Sequence, residues 1–413
     1  MSRVVFHADV NSAFLSWSAV HALKENPDSV DLRTIPSAVG GDVSTRHGII
    51  TAKSIPAKKY GIVTAMPVMR ALELCPSLVL VQSDYQMYRE YSQAFIKILK
   101  SHAKVVEQVS IDEACMDMTG LEGDPRVIAR QIADEVKTRL GFTINVGISC
   151  NKLLAKMASD FEKPDKVHTL FPNEIAEKMW PLPIGDLFGC GSKTAEKLIR
   201  VGIRTIGEAS HTDPHFLRGL LGDAAGTYIY QAANGKSDSP VSDEARDVKS
   251  VSNEYTTTED ITEKNWKTDG LKMLDYLTTK VSGRLAKQGL YAETIGVSVK
   301  TDDFKRHSIQ TKCPDPVQSK EEIYPFARRL FEEILCGKDG MFQEGKSVRL
   351  IAVVASSLSD GSYKQMTLLE ALNQAKNDAE KKEKKEKLDR MTALIKNKFG
   401  ESAIRKGSEG DDL

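Results

Sequence analysis

The sequence carries few of the marks of a membrane, secreted or polyanion-binding protein. Lysines plus arginines number 57, as do aspartates plus glutamates, so the formal net charge is zero. A basic balance is the usual footprint of nucleic-acid binding, but a neutral protein can still concentrate its cations along one groove. No stretch is apolar and uncharged over the length of a membrane span, and residues 1–10 lack a basic region followed by an apolar one. We therefore expect a cytoplasmic protein without membrane contact.

Cysteine is also scarce, with six residues in 413, and these are scattered without a Cys-x-x-Cys pair or nearby histidine clusters. This spacing argues against a zinc site and against a disulfide framework. We expect free thiols, several of them in cores. The length allows two to four domains, and the 41% hydrophobic and 28% charged fractions are those of an ordinary globular protein.

What the sequence does contain is a pair of adjacent carboxylates, Asp112 and Glu113, inside the apolar stretch Val109–Asp117. Two ionised neighbours in a largely buried setting repel each other and lose hydration, so they need a cation or strong donors beside them. The pattern indicates either a functional site or a surface hairpin turn, since Ser-Ile-Asp-Glu can also form such a turn. The stretch alone leaves both interpretations open.

The N-terminal segment predicts a strand at 3–9, followed by a helix through Phe14 that Asn11 caps. Asp9 falls at the carboxyl end of this strand, where open sheets present ligand groups, although an aspartate before a helix is as often a plain cap. Phe14 is typical either of a core aromatic or of a substrate contact. Lys58 belongs to a basic cluster at a strand-to-helix junction, which is either a solvated face or a phosphate site.

The rest of the first 179 residues alternates between strands and amphipathic helices, which suggests α/β layering. Helices are predicted at 67–74, 85–100, 125–140 and 151–163, and strands at 47–53 and 142–148. Lys163 lies at the end of the last helix, where a lysine is ordinarily explained by the helix dipole.

Beyond residue 179, prolines and Gly185 interrupt the pattern, and Gly189-Cys190-Gly191 separates two short helical segments. This arrangement resembles a helix-hairpin-helix, in which a glycine turn lets backbone N–H groups approach DNA phosphates. An ordinary helix turn with a glycine cap is the alternative. Residues 237–249 are polar and predict a linker.

The C-terminal part predicts two helices, at 270–288 and 323–336, against a four-stranded antiparallel sheet, an α+β arrangement. Next along the chain, Gln365, Leu368 and Leu369 belong to a short motif with two leucines in a polar neighbourhood, which is typical of a partner-docking peptide. A mixed-charge stretch follows this motif and predicts a helical or disordered tether.

Five separated motifs stand in one order along the chain: Asp9, Phe14, Ala-Lys-Ser-Ile-Pro-Ala-Lys-Lys-Tyr-Gly at 52–61, Ser-Ile-Asp-Glu at 110–113, and the 146–164 segment. Together they resemble the Y-family DNA polymerases, close to the bacterial DNA polymerase IV branch. The resemblance covers about residues 3–369.

The resemblance implies a polymerase with a right-hand arrangement of domains, of mixed α+β and α/β class. Palm and fingers would span 1–179, a helix-hairpin-helix thumb 180–240, a linker 241–250, an α+β little finger 251–360, and a tail with a clamp-binding peptide 361–413. The implied activity is error-prone, template-directed DNA synthesis across damaged bases. Primer-template DNA, dNTPs and a sliding clamp are the implied partners of a monomer.

The resemblance also implies roles for individual residues. Asp9, Asp112 and Glu113, with the Val10 carbonyl, would hold two Mg²⁺ ions. Phe14 would exclude the ribose 2′-hydroxyl, and Lys58 and Lys163 would hold the incoming triphosphate. DNA contacts fall on Gly189, Gly191 and Lys193, and clamp contacts on Gln365, Leu368 and Leu369.

Two features depart from the polymerase IV pattern: Lys58 replaces the usual arginine, which loses a bidentate fork for phosphate, and Ser-Ile-Pro stands where a tyrosine usually precedes the Pro-Ala pair. Adjacent residues of a regular strand point to opposite faces, so Asp112 and Glu113 share one site only if Ser110-Ile111 turns the backbone.

The alternatives to the DNA polymerase function are a palm-like nucleotidyl cyclase and a catalytically silent DNA-repair protein.

Overall fold

The computed structural model describes residues 3–41, 48–244 and 247–361, together with Lys387, Met391, Thr392, Leu394 and Lys398. The chain divides into two compact units, Met1–Asp247 and Val248–Leu413. The predicted docking peptide with Gln365, Leu368 and Leu369 lies outside the described residues. Within the described part, no helix is both long enough and apolar enough to cross a bilayer.

The first unit is built on a five-stranded sheet that is mixed rather than parallel. Its strands, in chain order, are β1 (Val5–Val10), β5 (Val105–Gln108), β6 (Glu113–Asp117), β7 (Ile144–Ser149) and β8 (Val167–Thr169), and their order in space is β5-β6-β1-β7-β8. The central β1 pairs antiparallel with β6 and β7, whereas β7 and β8 run parallel. Every residue of β1 and β7 is buried, because helices cover both faces of the sheet.

Three helices cover one face of this sheet: α1 (Ala13–Glu25), α4 (Tyr85–His102) and α5 (Pro125–Leu140). Their apolar stripes meet in a core that includes Trp17, Phe95 and Val136. The other face carries α6 (Lys152–Asp160), which approaches β7 very closely. A Cβ atom at Gly147 would lie 1.9 Å from the Ala155 carbonyl oxygen, so only glycine permits this contact.

A smaller sheet, β3-β2-β4, lies between α1 and α4 in the sequence. It consists of β2 (Ser37–Gly40), β3 (Ile50–Lys53) and β4 (Val79–Val81), with the short helices α2 (Ile55–Lys58) and α3 (Val68–Leu74). Its core includes Ile50, Ile62 and Val68.

Short helices then complete the first unit: α7 (Ile175–Lys178), α8 (Ser192–Arg200), α9 (Ile206–His211), α10 (Pro214–Leu221) and α11 (Asp223–Ala233). Their core is continuous with α6, because Leu154 and Met157 pack among the same buried residues as Leu198 and Ile229.

The second unit confirms the predicted two helices against a four-stranded antiparallel sheet. The strands β9 (Ser250–Ile261), β10 (Tyr291–Thr301), β11 (Arg306–Val317) and β12 (Val348–Ser359) pair in the order β11-β10-β12-β9. The helices α12 (Leu271–Gln288) and α13 (Lys320–Cys336) bury Leu277, Val281 and Phe331 against this sheet.

Two local predictions were wrong. Asn11 does not cap α1: Ser12 precedes the helix with φ 48°, and the Asn11 side-chain oxygen accepts hydrogen bonds from Thr143 Oγ1 (2.9 Å) and the Asp165 N–H (3.0 Å). The helix predicted to run to residue 163 ends at Asp160. The Asn145 side chain on β7 donates to the Ser159 carbonyl oxygen, which a longer helix would bond to the Lys163 N–H.

Candidate active site

The adjacent carboxylates Asp112 and Glu113 follow a bend that begins at Ser110 and Ile111, as the sequence predicted. Ser110 Oγ donates to Asp112 Oδ1 (2.6 Å) and accepts from the Glu113 N–H (3.1 Å). The Val10 N–H donates to the Asp112 carbonyl oxygen (3.0 Å), which fixes this bend against β1. Glu113 is the first residue of β6 and the cross-strand partner of Asp9, so the two side chains share a face.

A cavity of about 260 Å³ opens at this end of the sheet. Its wall brings together five residues that the sequence singled out: Asp9, Val10, Phe14, Lys58 and Asp112. Lys53 and Thr64 complete the basic side of the wall, where Lys53 Nζ donates to Thr64 Oγ1 (3.0 Å). A larger cavity, about 850 Å³, lies beside Lys100, Glu107 and Asp243, and its wall contains none of the five.

Lys156 contacts both Asp9 and Glu113, and sequence reasoning missed it. Its Nζ lies 2.6 Å from Glu113 Oε1 and 3.2 Å from Asp9 Oδ2. Lys163 Nζ reaches the same Asp9 oxygen at 3.0 Å, and both lysines also pair with Asp160, at 3.3 and 2.9 Å. The ammonium groups are the cations that two carboxylates this close together require.

Burial and these contacts shift the pKa values of Asp9, Glu113, Lys156 and Lys163. Burial alone would raise the pKa of Asp9, but Lys163 and Lys156 outweigh it and hold that pKa below its ordinary value. Burial raises the pKa of Glu113, and the bond from Lys156 offsets this only in part. Burial would lower the pKa of Lys156, yet Asp9 and Glu113 raise it above the usual range. Asp9 therefore stays ionised and Lys156 stays charged at neutral pH.

Replacing Lys156 with methionine is expected to destabilise the protein by about 3 kcal/mol, because it leaves Asp9 and Glu113 largely buried without their shared cation. Urea unfolding at pH 7 measures the change. Lys166→Met is the matched control, since the Lys166–Glu162 pair is about half exposed and contributes little. Equal stability of the two variants would contradict a structural role for the Lys156 pairing.

Phe14 lies against aromatic rings of α4 rather than in open solvent. Its ring stacks on Tyr88 with centroids 4.5 Å apart and planes at 13°, and Tyr85 meets it edge-on at 5.9 Å. Ser18 Oγ and the Tyr88 hydroxyl lie 3.0 Å apart and share a hydrogen bond. This support holds the Phe14 ring in one orientation at the cavity wall. The sequence pattern marked Tyr85 and Tyr88 only as part of a packing helix.

The glycine hairpin lies away from the carboxylates, at the start of α8. Gly189 has φ +83°, and a Cβ there would lie 2.5 Å from the Tyr228 ring, so both backbone conformation and space require glycine. The Tyr228 hydroxyl donates to the Phe188 carbonyl oxygen (2.7 Å), which holds the turn. Gly191 precedes α8 and has open space at its Cβ position, and Lys193 is exposed in the first turn. The space beside Gly191 is therefore open, whereas the Tyr228 ring fills the space beside Gly189.

The residue types at the sheet end suit a divalent cation with hard oxygen ligands. Asp9 and Glu113 already converge on one positive centre, the Lys156 ammonium, and Asp112 and Val10 line the adjoining cavity. Within the described residues, no three His, Cys, Asp or Glu side chains are grouped closely enough to hold an ion together. The oxygen donors are thus of the kind that binds such a metal, and in this structure the Lys156 ammonium lies between two of them.

Three family models match the chain. The impB/mucB/samB family matches residues 8–160, the IMS family HHH motif matches 172–203, and the impB/mucB/samB family C-terminal domain matches 248–368. A DNA polymerase IV of Clostridium acetobutylicum is 39% identical over 98% of this chain and 97% of its own length. DNA polymerase IV 1 of Bacillus subtilis (strain 168) is 33% identical over 98% and 93%.

Solved structures share the architecture as well. A chain described as "Y-family DNA polymerase chimera Dbh-Dpo4(243-245)-Dbh" is 25% identical, with a TM-score of 0.72, over 86% of this chain and 98% of that chain. A second chain, described as "Dbh Ternary Complex (substrates partially disordered)", is 23% identical, with a TM-score of 0.57, over 86% of this chain and 98% of that chain. This second likeness supports a shared fold only.

Proposed function

Since this chain belongs to the impB/mucB/samB family, we propose that it is an error-prone DNA polymerase that extends primers opposite damaged template bases. The observation that carries the proposal is the convergence of Asp9 and Glu113 on one cation position beside a cavity lined by Phe14, Lys58 and Asp112. Relatives named DNA polymerase IV match nearly the whole chain, and Y-family polymerase structures share its fold.

Asp9, Asp112 and Glu113, with the Val10 carbonyl, would hold the divalent metal on which Y-family polymerases depend. Two Mg²⁺ ions would supply charge neutralisation on the triphosphate and a more acidic primer 3′-hydroxyl for in-line phosphoryl transfer. The reaction requires no nucleophile from the protein. Lys156 keeps Asp9 and Glu113 paired, and the bend at Ser110 holds the Asp112 carboxylate at the cavity.

The incoming nucleotide would bind between the carboxylates and the basic wall. Lys58 lines the cavity and Lys163 lies 3.0 Å from Asp9, so both would meet the triphosphate as point charges. Phe14, held by Tyr88, would exclude the ribose 2′-hydroxyl. Primer-template DNA and dNTPs are therefore the substrates.

The remaining parts would grip DNA without reading its sequence. Residues 1–179 would form palm and fingers, 180–240 the thumb, 241–250 the linker and 251–360 the little finger. Backbone N–H groups at Gly189 and Gly191, with Lys193, would bind the phosphates of the duplex, because the space beside Gly191 is open and Lys193 is exposed.

Two assays separate this proposal from its alternatives. The purified protein is expected to extend a primer with dNTPs in Mg²⁺ and to form no cyclic nucleotide from ATP or GTP. A nucleotidyl cyclase would not need the C-terminal domain or the helix-hairpin-helix that the family models match. Cyclic-nucleotide formation without primer extension would contradict the proposal, and so would the absence of both.

The tail would bind a sliding clamp through Gln365, Leu368 and Leu369 of 361–413, which raises the effective concentration of a monomeric polymerase at its primer. Deleting the chain after Ser362 is expected to leave basal extension intact and to abolish stimulation by the clamp. Substituting alanine for Leu368 and Leu369 in the full chain should have the same effect. Stimulation equal to that of the intact chain would contradict the assignment.

A further inference from the structure

We propose that Asn145 is the positioning residue that holds Lys163 beside Asp9. Asn145 lies on β7 as the cross-strand partner of Asp9, and its side chain is completely buried. Side chains directly opposite each other on paired strands share a face, so the amide lies next to the Asp9 carboxylate on the face that α6 covers. The proposal rests on the proposed function only where it assigns the triphosphate to Lys163.

The Asn145 amide caps the carboxyl end of α6 from a neighbouring strand. Its Nδ2 donates to the Ser159 carbonyl oxygen (3.0 Å) and to the Glu162 carbonyl oxygen (2.6 Å). Carbonyls at the end of a helix lack partners within the helix and need other donors. Because Asn145 supplies both, the backbone leaves the helix at Asp160 and runs on in a fixed path through Lys163.

The orientation of the amide is fixed by its other partners. Asn145 Oδ1 accepts from Asn11 Nδ2 (3.0 Å) and from the Lys166 N–H (3.3 Å). Asn11 Oδ1 in turn accepts from Thr143 Oγ1 and the Asp165 N–H, so the nitrogen of Asn11 must face Asn145. We call Asn11 and Asn145 the amide lock. A flipped Asn145 would turn its oxygen towards two carbonyls, which excludes the alternative orientation.

The amide lock holds the chain on both sides of Lys163. Ser159 and Glu162 are bound before it, and Asp165 and Lys166 after it. Lys163 Nζ then spans the remaining distance to Asp9 Oδ2, at 3.0 Å. A lysine stem has large rotamer freedom, so a fixed backbone lowers the entropic cost of presenting its ammonium group at one point.

The first test compares nucleotide KM and kcat. Asn145→Leu keeps a similar volume but offers no hydrogen bond, and we expect it to raise the KM for dNTP about tenfold while kcat changes less than about threefold. Lys163→Met should raise KM to a similar extent. The double variant should resemble Lys163→Met alone, because Asn145 acts through that lysine.

A matched control removes the other cap of the same helix. Asn151 is also buried, accepts from the Leu154 N–H at the start of α6 (2.9 Å) and donates to the Gly235 carbonyl oxygen. Asn151→Ala should destabilise α6 and leave the dNTP KM unchanged. An equal change of KM in Asn151→Ala would overturn the proposal. So would a double variant in which the KM effects of Asn145→Leu and Lys163→Met multiply. Neither result would contradict polymerase activity itself.

A second readout needs no catalysis. In the full chain without DNA, Asn145→Leu should increase the rate at which acetic anhydride acylates Lys163 about threefold or more, since the ammonium spends less time paired with Asp9. Lys152, paired with Glu107 at 2.8 Å on the first turn of α6, is the internal reference and should keep its rate. If Lys163→Met left the KM for dNTP unchanged, Lys163 would not hold the triphosphate. If Asn145→Leu left the acylation rate of Lys163 unchanged, Asn145 would not be its positioning residue.

Discussion

Asp112→Asn is expected to reduce Mg²⁺-dependent primer extension at least about a thousandfold, because one anionic oxygen proposed to bind the metal becomes a neutral amide. Asp112 lines the cavity and its side chain is held there by Ser110. Asparagine has the same shape and can keep the Ser110 contact, so the fold should survive. Single-turnover extension of an undamaged primer-template measures the loss.

Asp117→Asn provides the control for this substitution. Asp117 is the last residue of β6, and its carboxylate accepts from the Thr119 N–H (2.9 Å) at the far end of the strand. Asp117 thus lies at the opposite end of β6 from Glu113, away from the carboxylates proposed to hold the metal. Extension by Asp117→Asn should equal that of the unaltered protein, and retention of activity by Asp112→Asn would remove Asp112 from the metal site.

Phe14→Ala is expected to reduce discrimination against ribonucleotides by about a hundredfold, which corresponds to about 3 kcal/mol of lost specificity. The Phe14 ring forms part of the cavity wall and is held in one orientation by its stack on Tyr88. Alanine would open the space that a 2′-hydroxyl needs. The measurement is the ratio of kcat/KM for dNTP to that for the matching rNTP in single-nucleotide insertion.

Tyr88→Phe separates the supporting ring from its hydroxyl. It removes the hydrogen bond shared with Ser18 and keeps the aromatic face on which Phe14 stacks. Sugar discrimination should therefore stay unchanged in this variant. If Phe14→Ala also left discrimination unchanged, Phe14 would be a packing aromatic, which was the alternative that the sequence left open.

Local patterns predicted the framework well, because they depend on near neighbours. The helix predicted at 125–140 has those bounds in the structure, since Asp124 caps it and Gly141 ends it with φ 83°. The turn before Asp112 followed from the fact that adjacent strand residues point to opposite faces. The Ser110 hydroxyl that makes this turn lies within three residues of both carboxylates.

The lysine and amide contacts could not be predicted in the same way, because their partners are distant in the chain. Lys156 and Asp9 are 147 residues apart, and in the sequence Lys156 is typical of the polar positions of an amphipathic helix. Asn11 was assigned to a helix cap, its commonest local role, whereas a tertiary contact with Asn145 prevailed. The pairing of β1 with β7 places Asp9 beside Asn145, and the packing of α6 on these two strands brings Lys156 to Asp9.

The most direct test of the central claim is primer extension by the purified protein on undamaged, abasic and N2-guanine-adducted templates, with Mg²⁺ or with EDTA. We predict templated dNTP addition in Mg²⁺ on the undamaged template, insertion opposite at least one lesion, and no extension in EDTA. Lack of extension in Mg²⁺ on every template, or extension that persists in EDTA, would contradict a metal-dependent polymerase site at Asp9, Asp112 and Glu113.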